Sequence, residues 1–211
     1  MGLPELASME HVSLDSVTAD AFGSEDGIDS EQRRLSDPLG TTGVALNHYR
    51  IAPGDGFPSG LHAHADQEEV FVVLAGEATF ETFEGEFTVE AGHAVRFAPG
   101  EFQSGRNDGE EVLVALAVGA PRDGEDVRIP ADCPDCGHDQ LRLETDDGLT
   151  FVCPDCGVER VPQDCPDCGS ARLRITLAEE ENETATRAKR EPQTKVVCED
   201  CGSEFESPPL E

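Results

Sequence analysis

The sequence predicts an all-β protein: a β sandwich or barrel, followed by two small modules organised by cysteine. Two observations carry this. Short strand-like runs follow one another closely through the first half, cut by glycine, proline and acidic turns. All eight cysteines fall after residue 129, in four Cys-x-x-Cys pairs. A polar, turn-rich stretch, GAPRDGEDVRIP, separates the halves at 119–130. The expected organisation is an N-terminal extension and leading strand at 1–36, a barrel at 37–120, a linker at 121–131, and cysteine modules at 132–158 and 163–205.

In the first half, strands are expected at 44–51, 69–74, 78–83, 86–89, 94–97 and 112–118. Breaks fall at Pro53-Gly54-Asp55-Gly56, Gly76, Glu84-Gly85, Ala91-Gly92 and Pro99-Gly100. Phe83 and Phe87 flank Glu84-Gly85-Glu86, which reads as a tight hairpin. The stretch GLHAHADQEEVFVVLAG, at 60–76, sets polar donors at the mouth of an apolar run. Residues two apart on a strand face one side, so His62 and His64 point inward together. If Glu69 opens the next strand facing inward, Phe71 and Val73 follow it onto the same face. Two imidazoles and a carboxylate converging there suit a divalent metal such as Fe, Mn, Ni or Zn. The competing reading is a pair of histidines lining an empty or water-filled pocket.

Gly56, His62, His64, Glu69 and Gly76 follow the spacing G-x5-H-x-H-x4-E-x6-G, which resembles the first motif of the cupin superfamily. GHAVRFAPGEFQSGRN, at 92–107, resembles its second motif through Gly92, Pro99, Gly100 and Asn107, with Gln103 where that motif carries histidine. The resemblance covers about residues 40–120. It implies a small double-stranded β-barrel of the cupin, or jelly-roll, kind with one mononuclear metal inside, and a homodimer formed through the cupin. Gln103 either binds the metal through its amide oxygen or leaves that position to water. His48, His93, Arg96 and Glu101 are secondary candidates for lining the site.

The cysteine pairs are Cys133/Cys136, Cys153/Cys156, Cys165/Cys168 and Cys198/Cys201, each followed by a glycine. Such a turn aims two thiolates at one ion, and two turns complete a tetrahedral four-thiolate zinc site. CPDCGHDQLRL from Cys133 repeats as CPDCGSARLRI from Cys165, and each unit returns to its second pair through a strand. The natural grouping is therefore Cys133, Cys136, Cys153 and Cys156 for one zinc, and Cys165, Cys168, Cys198 and Cys201 for the other. Both units resemble zinc ribbons. The second carries a charged insert at 179–194, almost without apolar residues, which reads as a mobile tip. Neither unit is long enough for a sufficient apolar core, so two structural zinc ions are expected to supply the folding energy. Redox Cys-x-x-Cys chemistry and a crossed grouping of the middle pairs are the alternatives.

Charge bounds the partners. With 45 acids against 15 bases the formal charge is -30, and only Lys189 and Lys195 are lysines. Residues 1–131 hold 25 acids and 7 bases; the remainder hold 20 and 8. Scarce lysine, few aromatics and abundant acids resemble the proteins of salt-loving archaea, since molar salt shortens the Debye length to about 3 Å. A polyanion lacks the basic footprint for nucleic acid. The start of the chain has no basic region followed by an apolar core, and no apolar run nears the roughly 20 residues of a membrane span. A cytoplasmic protein with reduced thiols is expected, with no nucleic-acid or membrane partner. The expected function is binding of a small polar metabolite at the barrel metal, with the ribbons serving protein contacts. The alternative is a metal-dependent cupin enzyme of the dioxygenase, isomerase or epimerase class.

Overall fold

Strict alternation along residues 113–120, LVALAVGA, sets the plan of the barrel. Leu113, Ala115 and Ala117 are buried, while Val114, Leu116 and Val118 stay half-buried on the opposite face. A strand with one apolar face must cover it, and the residues before it in the chain supply that cover.

The structure, a computed structural model, describes residues 9–23, 30–145, 148–178 and 193–211. In chain order the barrel strands are β1 (Asp20–Phe22), β2 (Ser30–Arg34), β3 (Ala45–Ile51), β4 (Ala63–His64), β5 (Glu68–Ala75), β6 (Glu77–Thr82), β7 (Gly85–Glu90), β8 (Ala94–Phe97), β9 (Gln103–Arg106) and β10 (Leu113–Ala120). Beyond them come β11 (Val127–Ile129), β12 (Leu141–Glu144), β13 (Thr150–Val152), β14 (Glu159–Arg160), β15 (Leu173–Leu177), β16 (Thr194–Cys198) and β17 (Glu204–Phe205). One helical turn, α1 (Ser36–Leu39), links β2 to β3. No described helix is long and apolar enough to cross a membrane.

Two antiparallel sheets enclose the main core. One has the order β1-β2-β3-β10-β5-β8, the other β7-β6-β9. Between them lie Tyr49, Ile51, Phe57, Phe71, Val73, Phe80, Phe97 and Leu113. The Phe57, Phe71, Phe80 and Phe97 rings form a chain with centroids 5.0 to 5.3 Å apart from Phe57 to Phe71, Phe71 to Phe80 and Phe80 to Phe97. Fully burying one such ring stabilises the fold by roughly 1.5–3 kcal/mol. The fold is all-β, a cupin-type jelly-roll barrel with small β modules after it.

Gly76 joins β5 to β6 at φ 70°, where a Cβ would sit 2.9 Å from the Val112 carbonyl oxygen. Only glycine accommodates both demands. Asn107 is fully buried: its amide donates to the Ile51 and Glu111 carbonyls at 2.9 and 2.8 Å and accepts from Gly109 N–H at 3.1 Å. It locks the turn between β9 and β10.

The second half does not stand apart from the barrel. Residues 121–131, expected to be a linker, contain β11, which pairs with β4 through Val127↔His64 and Arg128↔Ala63. A sheet of order β14-β13-β12-β11-β4 thus runs from the histidine segment into the first cysteine module. A three-residue strand within charged, turn-forming residues leaves no periodic signal in the sequence. The second module is the sheet β15-β16-β17. Of the expected insert, residues 179–192 lie outside the described residues, and Thr194 opens β16.

Candidate metal centres

His62 and His64 flank Ala63 on the short segment around β4. His62 pairs with Gln103 on β9: His62 N–H donates to Gln103 O at 3.1 Å and Gln103 N–H to His62 O at 2.8 Å. Leu61 and Ala63 point the other way and are buried under Phe102, Ile175 and Leu177. The alternation that hides the aliphatic pair therefore turns both imidazoles toward the barrel. Glu69 joins them from β5, and Gln103 from β9.

One ligand atom from each of His62, His64 and Glu69 lies within 4.8 Å of the others. Around an ion with bonds of about 2.1 Å, neighbouring donors sit about 3–3.4 Å apart. Around a bound ion, side-chain rotation would supply that contraction. Nδ1 of His62 donates to Gly60 O at 2.8 Å, which leaves the Nε2 lone pair facing the site. Nδ1 of His64 is buried with no hydrogen-bond partner among the described residues, while its Nε2 lies 3.8 Å from a Glu69 oxygen. At 3.8 Å the His64 Nε2 and the Glu69 oxygen are too far apart to hydrogen-bond and close enough to share a cation lying between them.

Gln103 completes the cluster in an unexpected orientation. Its amide nitrogen lies 3.2 Å from the Glu69 carboxylate, to which it donates, and 3.4 Å from His62 Nε2. To ligate, the amide must turn over and present its oxygen. As placed, it holds the carboxylate and the imidazole in position.

Burial sets the protonation states. It pushes the His62 pKa down to about 4 and lowers that of His64. It raises the Glu69 carboxyl to about 7, against the Gln103 hydrogen bond that favours the ionised form. Near neutral pH both imidazoles are neutral donors, and a metal entering beside Glu69 competes with one proton. The side chains of His64 and Glu69 remain 21% and 16% exposed, so a small solute can reach the trio.

The secondary candidates lie elsewhere. His48 sits on the outward face of β3, Arg96 pairs with Glu68 at 2.6 Å, His93 is exposed in a turn, and Glu101 caps the β8–β9 turn at Ala98 N–H. A residue the motif spacing does not reveal is Tyr49, inside the barrel. Its hydroxyl accepts from Gln32 at 2.9 Å, and burial followed by the Glu69 charge raises its pKa. Inward alternation along β3 is the signal that finds it.

The cysteines form two clusters in the sequence-predicted grouping: Cys133, Cys136, Cys153 and Cys156, then Cys165, Cys168, Cys198 and Cys201. Sulfur pairs lie 3.7 and 3.5 Å apart in the first and 3.7 and 3.6 Å in the second. Tetrahedral bonds of about 2.3 Å place thiolate sulfurs about 3.8 Å apart. A disulfide needs about 2 Å. Both clusters therefore fit one four-coordinate metal ion each.

Residues 47–119 match the family described as Cupin domain. Among solved structures, the chain is similar to a sugar phosphate isomerase of the cupin superfamily from Silicibacter pomeroyi, at 21% identity and TM-score 0.51, covering 70% of this chain and 94% of that one. It is also similar to a candidate sugar phosphate isomerase from Acidithiobacillus ferrooxidans, at 23% identity and TM-score 0.50, covering 65% of this chain and 86% of that one. No curated protein matches the chain. At these identities the likeness carries the fold alone. The segment that matches the Cupin domain family, residues 47–119, lies within this barrel, and the barrel presents His62, His64, Glu69 and Gln103 to one another.

Proposed function

We propose that the protein binds a small polar metabolite at a mononuclear divalent metal (Fe, Mn, Ni or Zn) held by His62, His64 and Glu69, and carries two structural zinc ions in its cysteine clusters. The convergence of two buried neutral imidazoles and one carboxylate within 4.8 Å supports this reading most directly. Three protein donors leave coordination positions for a solute, whereas four thiolates leave none. A metal bound there supplies Lewis-acid chemistry. The protein's own contribution is to hold both imidazoles neutral and to aim Glu69 through Gln103. Elemental analysis of the full chain tests the reading. Two zincs and about one further transition metal are expected, with only the latter lost in His62→Ala/His64→Ala. No third metal in the wild type contradicts it.

A metal-dependent enzyme is the second reading, favoured by the solvent access of His64 and Glu69. The sugar phosphate isomerase named among the similar folds makes isomerisation the first reaction to assay. Turnover abolished by the double alanine variant supports it.

A homodimer through the cupin remains our proposal, and the outward face of the six-stranded sheet is the surface that favours it. Leu46, Val70, Val72, Leu116 and Val118 are half-buried there, and Leu74 is 55% exposed. The acids on that face, Glu31 and Glu68, are paired with Arg33, Arg50 and Arg96, so two polyanions meet there with little repulsion. Sedimentation of Leu116→Glu, monomeric where the wild type is dimeric, checks it. We further propose a cytoplasmic, salt-adapted setting, a protein partner for the ribbons, and no nucleic-acid or membrane partner, on the -30 charge.

A further inference from the structure

The segment 60–64, which presents both histidines, is held on two sides by different parts of the chain. On its inner flank lies β9, through the paired bonds between His62 and Gln103. On its outer flank every backbone partner among the described residues comes from beyond the barrel. Leu61 N–H donates to Ile175 O at 2.8 Å, Ala65 N–H donates to Asp126 O at 2.7 Å, and β11 pairs with Ala63 and His64. A short strand with one flank open would be mobile, because a two-residue ladder cannot offset the entropy of ordering it.

The contact with β15 is close and specific. A Cβ on Gly60 would lie 2.8 Å from the Ile175 carbonyl oxygen and 3.0 Å from its nitrogen. Arg174 runs along the barrel wall: its guanidinium donates to Ser104 Oγ at 2.8 Å, and a Cβ on Gly56 would stand 2.7 Å from it. Thr176 Oγ1 and Leu177 N–H donate to the buried Glu81 carboxylate at 2.9 and 3.2 Å. Ile175 and Leu177 cover Leu61 and Ala63, the residues on either side of His62. The order of β15 depends in turn on the second cysteine cluster. Leu173 at its start pairs with Cys198, and a module this small has too little apolar core to hold the strand without the cluster.

We infer that the second cysteine module is a positioning element for the barrel site: metal in Cys165, Cys168, Cys198 and Cys201 orders β15, and β15 fixes the strand that aims His62 and His64. The two sites are thus coupled within one chain, and the coupling is reciprocal. The inference rests on the metal-site reading proposed above. It also gives the ribbon a partner, the wall of its own barrel.

The test is cobalt affinity at the barrel site of full-length protein with zinc-loaded cysteine clusters, read from the visible bands of Co(II) bound by nitrogen and oxygen. Gly60→Ala pushes on Ile175 but also shifts the carbonyl that accepts from His62 Nδ1; Cys198→Ser/Cys201→Ser removes the second zinc; Arg174→Ala, whose bonds to the barrel go to Phe57, Ser104 and Gly105 and to no proposed ligand, is a milder third variant that separates the two effects and serves should either other fail to fold. Supporting groups of this kind typically carry 10–100-fold of metal affinity, so a loss of about tenfold is expected in Gly60→Ala and in the cysteine variant. Zinc content should read two in Gly60→Ala and one in the cysteine variant. Affinities within twofold of wild type in the variants that fold overturn the coupling and leave the metal site standing. Wild-type protein that takes up no cobalt outside the cysteine clusters overturns the site, and the coupling with it.

Discussion

The barrel trio and the cysteine clusters are both candidate metal centres, and they are built on opposite plans. Each cysteine cluster gathers four identical donors from two turns of the same sequence type, with sulfurs 3.5 to 3.7 Å apart across each pair of turns. The trio gathers unlike donors from separate strands, with an amide nitrogen wedged between two of them. A closed thiolate shell suits holding a fold together. A mixed, incomplete shell on a rigid wall suits meeting a solute. The contrast teaches that donor number and symmetry, more than burial, separate the two uses.

The largest effect to look for is in the first cluster. Cys153→Ser should remove one zinc equivalent and unfold β12, β13 and β14 locally, because structural zinc contributes about 10–16 kcal/mol in comparable small modules. Elemental analysis with amide hydrogen exchange over 132–160 checks this. The same double alanine change at His62 and His64 should, by contrast, leave cooperative thermal unfolding in place and abolish only the third metal. If the fold collapses there too, the two plans are not distinct.

A smaller effect separates two roles for Gln103. As a positioning residue it donates to Glu69, so Gln103→Glu should place a like charge beside that carboxylate and raise its pKa further. As a ligand, Gln103→Glu should instead tighten metal by adding an anionic donor. Titration of cobalt into each variant tells them apart, with Gln103→Ala expected to lose about tenfold in affinity.

The smallest expected effect is on pH. In the metal-free protein the Glu69 carboxyl sits at about 7, so below that pH an entering metal must displace its proton. Affinity should fall progressively as pH drops from 7 to 6 and level off above 8. His62, at about 4, stays neutral across that range and adds no slope. A flat profile between pH 6 and 8 contradicts the buried, protonatable Glu69.

Much of this was legible in the sequence, for physical reasons that also mark its limits. The long strands β3, β5 and β10 announce themselves because one face must be apolar at every second residue. His62, His64 and Glu69 are readable because strand alternation fixes which way each points. The cysteine grouping is readable because a repeated turn admits few geometries. The segment QSGR of β9 was not, since its pairing with β6 is paid by backbone bonds and neighbours rather than by its own side chains. Nor was the Leu61–Ile175 bond: it joins residues 114 positions apart through backbone groups that every residue carries. The orientation of Gln103 depends on which donor stands beside Glu69, and that is a property of the folded site alone.

X-ray absorption at the cobalt edge of the full chain, with zinc filling both cysteine clusters, tests the central claim most directly. The account predicts one cobalt in a shell of nitrogen and oxygen with two imidazole signatures and no sulfur, lost in His62→Ala/His64→Ala. Cobalt that sees sulfur, or that keeps the same shell after both histidines are removed, would contradict it.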